Sequence, residues 1–501
     1  MQESYKSLNP NPLVQFLDKP SSEFKKADLI KFVEANNIKM INFRYVAEDG
    51  RLKALNFIIN NKKHLDNILS TGERVDGSSL FSYIEAGSSD LYVIPRYKTA
   101  FLNPFTEIPT LDILCSYYDK DGNALTSSPD NIMRKAQAEL KRATGYNLDV
   151  MGELEYYVIS PKDDLYIACD QRGYHETTPY AKWEGLRCDA MQAIAQCGGL
   201  IKYGHSEVGN FSQDNMNFEQ NEIEFLPTNM ENAADSLLIS KWILRMLSYR
   251  YGVTVSFAPK IIVGKAGSGL HIHTKLVKDG KSVMIKDGKL SDEARKIIAG
   301  YLDLAPSLTA FGNTIPTSYL RLVPHQEAPT NICWGDRNRS VLVRVPLGWT
   351  SNKNMSLEVN PLETEDGIDF SEKQTAEFRC PDGSANIYLL LAGLAVAARH
   401  GLEMNNSLEL AEKLYVDVNI FNEKYKDTLD KLDKLPTSCY GSAEAFLKQA
   451  EIFKKYGVFT QGVIEGVVNK LKSYNDKTLS EDLYGKHDEL RKLVNSYIHC
   501  S

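Results

Sequence analysis

The order of apolar and polar positions along the chain predicts short strands and longer helices in two successive regions. Residues 22–38 place apolar side chains at helical spacing, and two runs rich in β-branched and aromatic residues follow at 39–46 and 52–59. The Asp49-Gly50 step between these runs is typical of a hairpin turn. The first region, residues 1–110, is therefore predicted to be a small domain of mixed helix and strand.

The second region, residues 111–501, begins with a strand-like run at 111–118 and then alternates short strands with helices. The long helices are predicted at 129–144, 179–198, 230–251, 292–304 and 384–403, and the last 95 residues also have helical spacing. Strand runs kept apart from helices favour an α+β fold over a doubly wound sheet. Neither a G-x-G-x-x-G turn nor a P-loop opens a helix, so those two nucleotide folds are not supported.

Composition narrows the class of protein. Of 501 residues, 43% are hydrophobic and 25% are charged, as in a soluble globular protein, and the net charge of −7 argues against a nucleic-acid partner. The longest apolar run, residues 387–398, is shorter than the roughly 20 residues that cross a bilayer, so no membrane partner is expected. No signal-peptide pattern opens the chain, and eight scattered cysteines without a C-x-x-C pair fit the cytoplasm.

The most informative feature is a set of charged pairs separated by one apolar or amide residue. Side chains two positions apart lie on the same face of a strand. A single pair of this kind also fits an ordinary strand with one face in water. Together, however, the pairs contain only Glu, His and Arg, whereas a solvated face would carry a more mixed set. The pairs are Glu153 and Glu155, His271 and His273, Arg337 and Arg339, and Glu377 and Arg379.

These residue types point to metal and phosphate chemistry. Carboxylates with imidazole suit Mg²⁺ or Mn²⁺, and thiolate ligands are missing from the pattern. Clustered arginines suit an anion such as a transferring phosphoryl group. Phosphoryl transfer from a nucleotide therefore explains both halves of the pattern. A two-metal hydrolase is the competing chemistry, although it accounts less well for the surplus of arginines.

A series of short motifs resembles the type I, bacterial-type glutamine synthetase family. Nine segments occur in the family's order between about residues 25 and 405. They are VDGSS at 75–79, GELEYY at 152–157, GHSEVG at 204–209, QNEIEF at 220–225, GSGLHIH at 267–273, SYLRLVPHQEAP at 318–329, RNRS at 337–340, RVP at 344–346 and EFRCPD at 377–382. The resemblance implies a small N-terminal β-grasp-like domain and a large catalytic domain with a curved antiparallel sheet and helices. It also implies a homo-oligomeric double ring, expected to be a dodecamer, with active sites shared between neighbouring subunits.

The resemblance also assigns roles to residues. Ligands of one divalent ion are implied at Glu155, Glu207 and Glu222, and those of a second at Glu153, His271 and Glu377. Contacts to ATP are implied at His273, Arg339 and Arg344, and contacts to glutamate at Gly267, Arg321 and Arg379. An ammonium site is implied at Asp76, Ser79 and Tyr174, with Asp76 coming from the neighbouring subunit. Glu327 lies in the segment that resembles a flap over the glutamate site, and it is expected to act in catalysis with Asp76 and Arg339.

The implied reaction is the ATP-dependent ligation of ammonia to L-glutamate through γ-glutamyl phosphate, giving L-glutamine, ADP and phosphate. Two alternatives remain open: a γ-glutamyl ligase that uses an amine or polyamine, and a catalytically silent structural or regulatory homologue. The retained Asp76 and Glu327 argue against the first, and the presence of all six implied metal ligands argues against the second.

Several positions depart from the family pattern. Ala266 stands where the family usually has Asn, and Thr375 stands where it commonly has Arg. Lys275 replaces a serine and is a candidate to restore positive charge near ATP. Two segments, near 211–221 and 347–373, are long for the family and are expected to be loops beside the site.

Overall fold

The computed structural model describes residues 8–82, 84, 89–323, 328–346, 354–364, 371–420, 423–425, 431–483 and 485–500. An N-terminal sheet has the strand order β2-β1-β6-β4-β3, with β5 paired to β6. Its strands are β1 (Met40–Val46), β2 (Leu52–Ile58), β3 (Glu73–Asp76), β4 (Asp90–Pro95), β5 (Phe101–Leu102) and β6 (Thr110–Tyr118). The helices of this part are α1 (Pro12–Leu17), α2 (Lys26–Ala35) and α3 (Lys62–Thr71).

The predicted hairpin is present, since β1 and β2 pair in antiparallel register from Met40 opposite Ile58 to Val46 opposite Leu52. Helix α2 is shorter than the predicted 22–38. It begins at Lys26, where the Asp28 carboxylate accepts a hydrogen bond of 2.7 Å from the backbone N–H of Lys25 and so caps the helix start.

Strand β6 belongs to the N-terminal sheet, although the sequence analysis placed it in the second region. It runs parallel to β1 and antiparallel to β4, and it is buried along nearly its whole length. A strand covered on both faces is a central strand, which explains its continuous apolar sequence. The change from one sheet to the next therefore comes after Tyr118 and not at residue 110.

A larger sheet follows, with the strand order β16-β17-β18-β12-β7-β9-β8 and additional short strands at its margins. Its pairs are antiparallel except for β16 with β17. The strands in this part of the chain, including the separate hairpin β14–β15, are β7 (Asn147–Pro161), β8 (Ile201–Gln213), β9 (Met216–Phe225), β10 (Thr228–Asn229), β11 (Thr254–Ser256), β12 (Leu270–Lys278), β13 (Lys281–Ser282), β14 (Ile285–Lys286), β15 (Lys289–Leu290), β16 (Trp334–Asp336), β17 (Val343–Val345) and β18 (Ala376–Phe378).

Helices cover the larger sheet and form most of the C-terminal part. They are α4 (Pro129–Thr144), α5 (Glu184–Gln196), α6 (Met230–Tyr251), α7 (Asp292–Gly312), α8 (Ser318–Arg321), α9 (Met355–Val359), α10 (Ile387–Glu403), α11 (Ser407–Lys413), α12 (Cys439–Lys448), α13 (Ala450–Lys454), α14 (Gln461–Lys472), α15 (Leu479–Asp482) and α16 (His487–Ser496).

Two of the predicted long helices, α4 and α6, have their expected bounds. Pro129 occupies the first turn of α4, where its missing N–H has no intrahelical partner to lose. Helix α7 extends past the predicted end at 304 because Pro306 is accommodated inside it.

Helix α10 is almost entirely buried, as its apolar sequence predicts, and it packs against α4 and α7. In the described ranges no single helix meets the length and hydropathy expected of a membrane span. Only α10 and α11 taken together do so, and a bend of 107° separates them.

The segment 211–221, expected to be a loop, is instead a β-hairpin formed by the ends of β8 and β9. Its two turn residues, Asp214 and Asn215, have φ angles of 52° and 61°, which suits a tight turn between antiparallel strands. Of the second long segment, 347–373, residues 354–364 and 371–373 are described and include the short helix α9. Residues 347–353 and 365–370 lie outside the described residues.

Candidate active site

A cavity of about 710 Å³ lies on the larger sheet and collects most of the residues singled out by the sequence. Those that line it are Glu153, Glu155, Tyr174, Glu207, Glu222, Gly267, His271, His273, Arg321, Arg339, Arg344, Glu377 and Arg379. Because these residues come from distant parts of the chain, strand pairing has to bring them together.

The register of the sheet arranges the charged residues in three neighbouring rows. In the first row, Glu377 of β18 lies opposite both His273 of β12 and Arg344 of β17. The next row contains Glu153 of β7, paired with His271 on one side and with Glu224 of β9 on the other.

The third row is formed by Glu155, Glu222 and His205, on β7, β9 and β8. The pairs spaced by two residues on β7 and β12 therefore point to one face, as predicted.

The first row and Glu153 form a compact group of possible metal ligands. Ligand atoms of Glu153, His273 and Glu377 all lie within 4.8 Å of one another. His273 Nε2 is 2.8 Å from Glu153 Oε1, and His271 Nδ1 is 2.9 Å from Glu153 Oε2 and 3.4 Å from Glu377 Oε1. Both histidines thus lie at this group, and His273 shares it with the two carboxylates.

Burial and charge act in opposite directions on these groups. Burial alone would raise the pKa of the Glu153 carboxyl, but His273 and the hydrogen bonds from both histidines hold that pKa well below its usual range. Burial likewise favours neutral His273, yet the Glu153 carboxylate raises the pKa of the imidazole. The group therefore holds ionised carboxylates ready for a cation.

A second acidic group surrounds Glu222. Burial, followed by repulsion from Glu153, Glu155, Glu207 and Glu224, raises the pKa of the Glu222 carboxyl well above its usual range. Such crowding of like charges is unfavourable unless a proton or a metal cation neutralises it.

Sequence analysis missed Glu224, although it lines the same cavity. Glu222 and Glu224 have the same spacing that identified Glu153 and Glu155, so the signal was present in the QNEIEF motif. Lys202 Nζ lies 2.7 Å from Glu224 Oε2, and the Tyr203 hydroxyl donates to the other oxygen of this carboxylate. Glu224 also forms a ligand group with His205 and Glu222.

The donors fit a divalent cation of the magnesium type. They are carboxylate oxygens and imidazole nitrogens, and the lining residues include no cysteine. Hard oxygen ligands with one nitrogen are the set expected for Mg²⁺ or Mn²⁺.

Arginines surround the acidic groups. Arg344 Nη1 lies 2.9 Å from Glu377 Oε2, and Arg379 Nε lies 3.0 Å from Glu377 Oε1. Arg321 donates to the Cys380 carbonyl at 2.8 Å, which fixes its guanidinium beside His271. Cations held next to carboxylates in this way suit an anionic substrate that arrives together with metal ions.

The Arg337 and Arg339 pair does not lie on a strand, contrary to the sequence expectation. Both residues follow β16, and Arg337 has a positive φ of 56°, so the chain turns there. Both side chains are exposed, and Arg339 lines the cavity whereas Arg337 is not among the lining residues.

Two glycines allow the chain to pass close to Arg321. A Cβ atom at Gly269 would lie 2.6 Å from Arg321 Nη2 and 2.8 Å from His271 Nε2. A Cβ atom at Gly267 would lie 3.0 Å from Arg321 Cγ and 2.6 Å from the Pro259 carbonyl. The Gly-Ser-Gly turn is therefore required for the guanidinium to lie against the backbone.

Comparison with known proteins agrees with this geometry. The sequence model of "Glutamine synthetase, catalytic domain" matches residues 126–481, and that of "Glutamine synthetase, beta-Grasp domain" matches residues 37–120. The chain belongs to the glutamine synthetase family. The family and fold class expected from the motifs are thereby confirmed, and the chain is an enzyme of the ligase class. Members of this family use ATP and divalent metals, act on glutamate and ammonia, and are generally oligomeric.

Curated relatives in this family cover nearly the whole chain. A glutamine synthetase of Clostridium saccharobutylicum is 29% identical over 456 residues, which are 88% of this chain and 94% of the relative. A glutamine synthetase of Mycolicibacterium smegmatis is 29% identical over 475 residues, or 87% and 92% of the two chains.

Solved structures show the same fold at lower identity. The Plasmodium falciparum glutamine synthetase has a TM-score of 0.72 and 20% identity, covering 93% of this chain and 97% of its own. GmaS in complex with ADP has a TM-score of 0.72 and 17% identity, covering 91% and 96%.

The positions that depart from the family pattern have defined partners. The Thr375 hydroxyl lies 2.9 Å from His273 Nδ1, so it holds the ring whose other nitrogen faces Glu153. Lys275 Nζ lies 3.5 Å from Glu372 Oε2, and Lys275 is not among the lining residues. Lys275 is therefore engaged outside the cavity, which does not favour the idea that it restores charge near ATP.

Ala266 is buried at the cavity wall, and its backbone is held at both polar atoms. Its N–H donates to Gln171 Oε1 at 2.8 Å, and its carbonyl accepts from the Tyr157 hydroxyl at 2.9 Å. The Ala266 methyl group therefore stands where the family usually has the side-chain amide of Asn, and the backbone at this position is held in place.

The residues expected at the ammonium site come from two separate parts of the chain. Tyr174 lines the cavity and stacks on His175 at 4.1 Å between ring centroids. Asp76 and Ser79 belong to the N-terminal part, are exposed, and are not among the lining residues of this single chain. Hydrogen bonds from Ser78 and Ser79 lower the pKa of Asp76 to about 2, so its carboxylate stays ionised. Glu327 lies outside the described residues.

Proposed function

We propose that the protein ligates ammonia to L-glutamate at the expense of ATP, giving L-glutamine, ADP and phosphate. The observation that carries this proposal is the gathering of all six expected metal ligands and four arginines around one cavity. A hydrolase needs the carboxylates but has less use for Arg321, Arg339, Arg344 and Arg379 beside them.

We assign the two substrates within the cavity from the roles that the family resemblance implies. The nucleotide phosphates lie at the end with His273, Arg339 and Arg344, where positive groups face the cavity. Glutamate lies beside Arg321 and the Gly267 turn. Arg379 lies between the two substrates, because it shares the Glu377 carboxylate with Arg344. This arrangement points the γ-carboxylate of glutamate at the γ-phosphorus of ATP.

Two metal sites are proposed between these ends. We assign Glu155, Glu207 and Glu222 to one, as the family resemblance implies, and Glu153, His271 and Glu377 to the other. His273 belongs to the second site as well, because its ligand atom lies within 4.8 Å of those of Glu153 and Glu377. These residues would hold divalent ions, which would supply positive charge to offset the phosphate oxygens. Arg339 and Arg344 hold the transferring phosphoryl group, and ADP leaves as the oxygen of glutamate forms its bond to phosphorus.

The second half of the reaction takes place where ammonium is expected to bind. Tyr174 and Glu207 face the cavity there, and we propose that Asp76 and Ser79 come from a neighbouring subunit. The lowered pKa of Asp76 keeps its carboxylate ionised, so that it attracts ammonium. We propose that contact with the bound ammonium also lets this carboxylate help to take the proton, a step that the lowered pKa by itself does not favour. Ammonia then attacks the γ-carbonyl carbon, phosphate leaves, and Glu327 covers the site and accepts a proton.

This assignment of Asp76 needs an oligomer, since Asp76 is not among the residues that line the cavity of its own chain. We propose a closed ring, with the dodecamer as the expected size. We further propose that the chain forms two domains that meet after β6, at about residue 118 and not at the residue 110 expected from the sequence, and that the protein works in the cytoplasm. All eight cysteines are free, which fits that compartment.

The direct test is phosphate release by the purified protein with Mg²⁺, ATP and glutamate, with and without ammonium, beside methylamine and putrescine. Ammonium-dependent release with glutamine as the product is expected. Release only with an amine would replace the proposal with a γ-glutamyl ligase and would point to Ala266 as a change at the substrate wall. No release from a folded oligomer that binds ATP would indicate a silent homologue.

Asp76→Asn is the matched variant, because Asn keeps the hydrogen-bonding shape but not the charge. It is expected to bind ATP as before and to lose about a hundredfold or more in ammonium-dependent turnover. Unchanged turnover would refute the role given to Asp76.

A further inference from the structure

A second cavity, of about 480 Å³, lies apart from the active site and shares no lining residue with it. A volume of this size holds a small organic molecule. Three parts of the chain enclose it: the β1–β2 turn, the facing ends of α7 and α10, and helix α14 with the C-terminal segment that follows α16.

The floor of this cavity is apolar. Helices α7, α10 and α14 and the segment that follows α7 contribute the side chains that form it, and most of them are buried. They are Phe311, Ile315, Leu389, Val463, Val467 and Leu471. Such a surface favours an apolar body, because apolar groups that leave water on binding stabilise the complex.

The C-terminal segment closes one side of the cavity, and it lies beyond residue 481, where the match to the catalytic family ends. Backbone carbonyls fix this segment. Ile498 accepts from Ser256 Oγ at 2.5 Å, Cys500 accepts from Arg245 at 2.8 Å, and His499 accepts from the Arg51 guanidinium. The wall is therefore a built feature of the fold.

The charged side chains at the rim differ in whether they already have an ion-pair or hydrogen-bond partner. Glu48 accepts hydrogen bonds from the backbone and side chain of Ser82 at 2.6 and 3.0 Å, and Asp49 pairs with Lys53 at 2.6 Å. Arg51 and Lys470, in contrast, have no carboxylate within ion-pair distance among the residues that the structure describes. Among the described rim residues, the charges without a carboxylate partner are therefore those of Lys470 and of Arg51, whose guanidinium also donates to the His499 carbonyl.

We propose that this cavity binds a small amphipathic carboxylate, with its aromatic or branched aliphatic body on the apolar floor and its carboxylate at Lys470 and Arg51. A charge-assisted hydrogen bond to an ammonium or guanidinium group would orient the head. A ligand there would contact the β1–β2 turn, helix α14 and the C-terminal segment together, and would stabilise their packing. The inference does not depend on the proposed reaction.

Calorimetric titration of the full-length protein with 3-phenylpropionate tests the site, beside 3-phenylpropanol and 3-phenylpropylamine as neutral and cationic analogues. The carboxylate is expected to bind at least about tenfold more tightly than either analogue, since only it meets Lys470. Saturating glutamate should leave the titration unchanged. Equal binding of the three compounds, competition by glutamate, or no binding up to 10 mM would each overturn the proposal.

Two variants locate the binding. Lys470→Gln removes an exposed charge, and Val467→Trp fills the cavity, so both are expected to weaken binding by about tenfold or more. Lys477→Gln is the matched control, because Lys477 lies 5.3 Å from the ring of Tyr440, as Lys470 lies 5.3 Å from that of Tyr474, but outside the cavity. Binding that survives Lys470→Gln with the affinity of the control would place the ligand elsewhere.

Discussion

Two buried ionic clusters in this molecule have similar residue types and opposite electrostatics. The first is the active-site cluster, whose carboxylates crowd around Glu222. The second, called here the Arg96 network, joins the N-terminal sheet to helices α4 and α6. It consists of Arg96, Lys98, Arg134, Asp130, Glu231 and Asp235.

The Arg96 network is balanced. Arg96 lies 2.8 Å from both Glu231 and Asp235, and Arg134 lies 3.1 Å from Glu231 and 2.8 Å from Asp130. Burial would raise the pKa of Glu231, but Arg96 and Lys98 lower it to about 2. The neighbours of Glu222 instead raise its pKa. The difference indicates that the first cluster is completed by a cation from outside, whereas the network already contains its own.

The largest effect is expected for catalytic turnover when a carboxylate of the active-site cluster is replaced. Glu222→Gln should lower turnover by about a hundred- to a thousandfold, because a charge that acts on the reacting groups is lost. The same change should leave the midpoint of thermal unfolding unchanged or raise it, because repulsion among carboxylates is relieved. Turnover and differential scanning fluorimetry without metal would check both statements. A clear fall in the unfolding midpoint would contradict the picture of a repulsive cluster.

The opposite result is expected in the network. Glu231→Gln removes the charge that Arg96, Lys98 and Arg134 share, although Arg96 keeps Asp235 and Arg134 keeps Asp130. Because the fold lowers the pKa of Glu231 from 4.5 to about 2, the loss should cost about 3 kcal/mol of unfolding free energy. Urea unfolding followed by circular dichroism measures this loss, and turnover per folded molecule should remain near that of the parent protein. If stability were unchanged, the network would not join the two sheets as described.

A smaller effect is expected beside the active-site cluster. Thr375→Val keeps the shape but removes the hydroxyl that lies at His273 Nδ1. Loss of such a partner should weaken Mn²⁺ binding by about tenfold, whereas Thr375→Ser should retain it. Calorimetric titration of both variants with Mn²⁺ gives the comparison. Equal Mn²⁺ affinities of the Val and Ser variants would show that the Thr375 hydroxyl does not support metal binding.

The smallest effect is in the pH dependence of stability. A carboxyl whose pKa is about 2 in the folded state and about 4.5 when unfolded stabilises the fold fully above pH 5 and loses that contribution as pH falls. Between pH 7 and pH 4 this loss is about 1 kcal/mol for Glu231. The stability difference between the parent protein and Glu231→Gln should shrink by this amount on acidification. A constant difference would indicate that Glu231 is protonated in the fold.

Much of the site could be predicted from local pattern. Glu153 with Glu155 and His271 with His273 are separated by two in apolar runs, so they share a face wherever those runs form strands. Glu224 has the same spacing from Glu222 and lies opposite Glu153, so local pattern could have predicted it as well. Arg337 and Arg339 are also two residues apart, but they do not lie on a strand, because the chain turns at Arg337.

By itself the sequence determined the local elements and the chemistry of the residues: helices α4 and α6, the β1–β2 hairpin, and the acids, histidines and arginines of the family motifs. These elements are specified by residues close together in sequence: by the spacing of apolar side chains, by the residues that cap helices, and by the residues that form turns. Only the tertiary structure decided that β6 joins the first sheet and that 211–221 pairs as a hairpin. It alone also placed Thr375 at His273 and crowded the carboxylates around Glu222. These features depend on strands and side chains distant in sequence, whose pairing and burial no local pattern specifies.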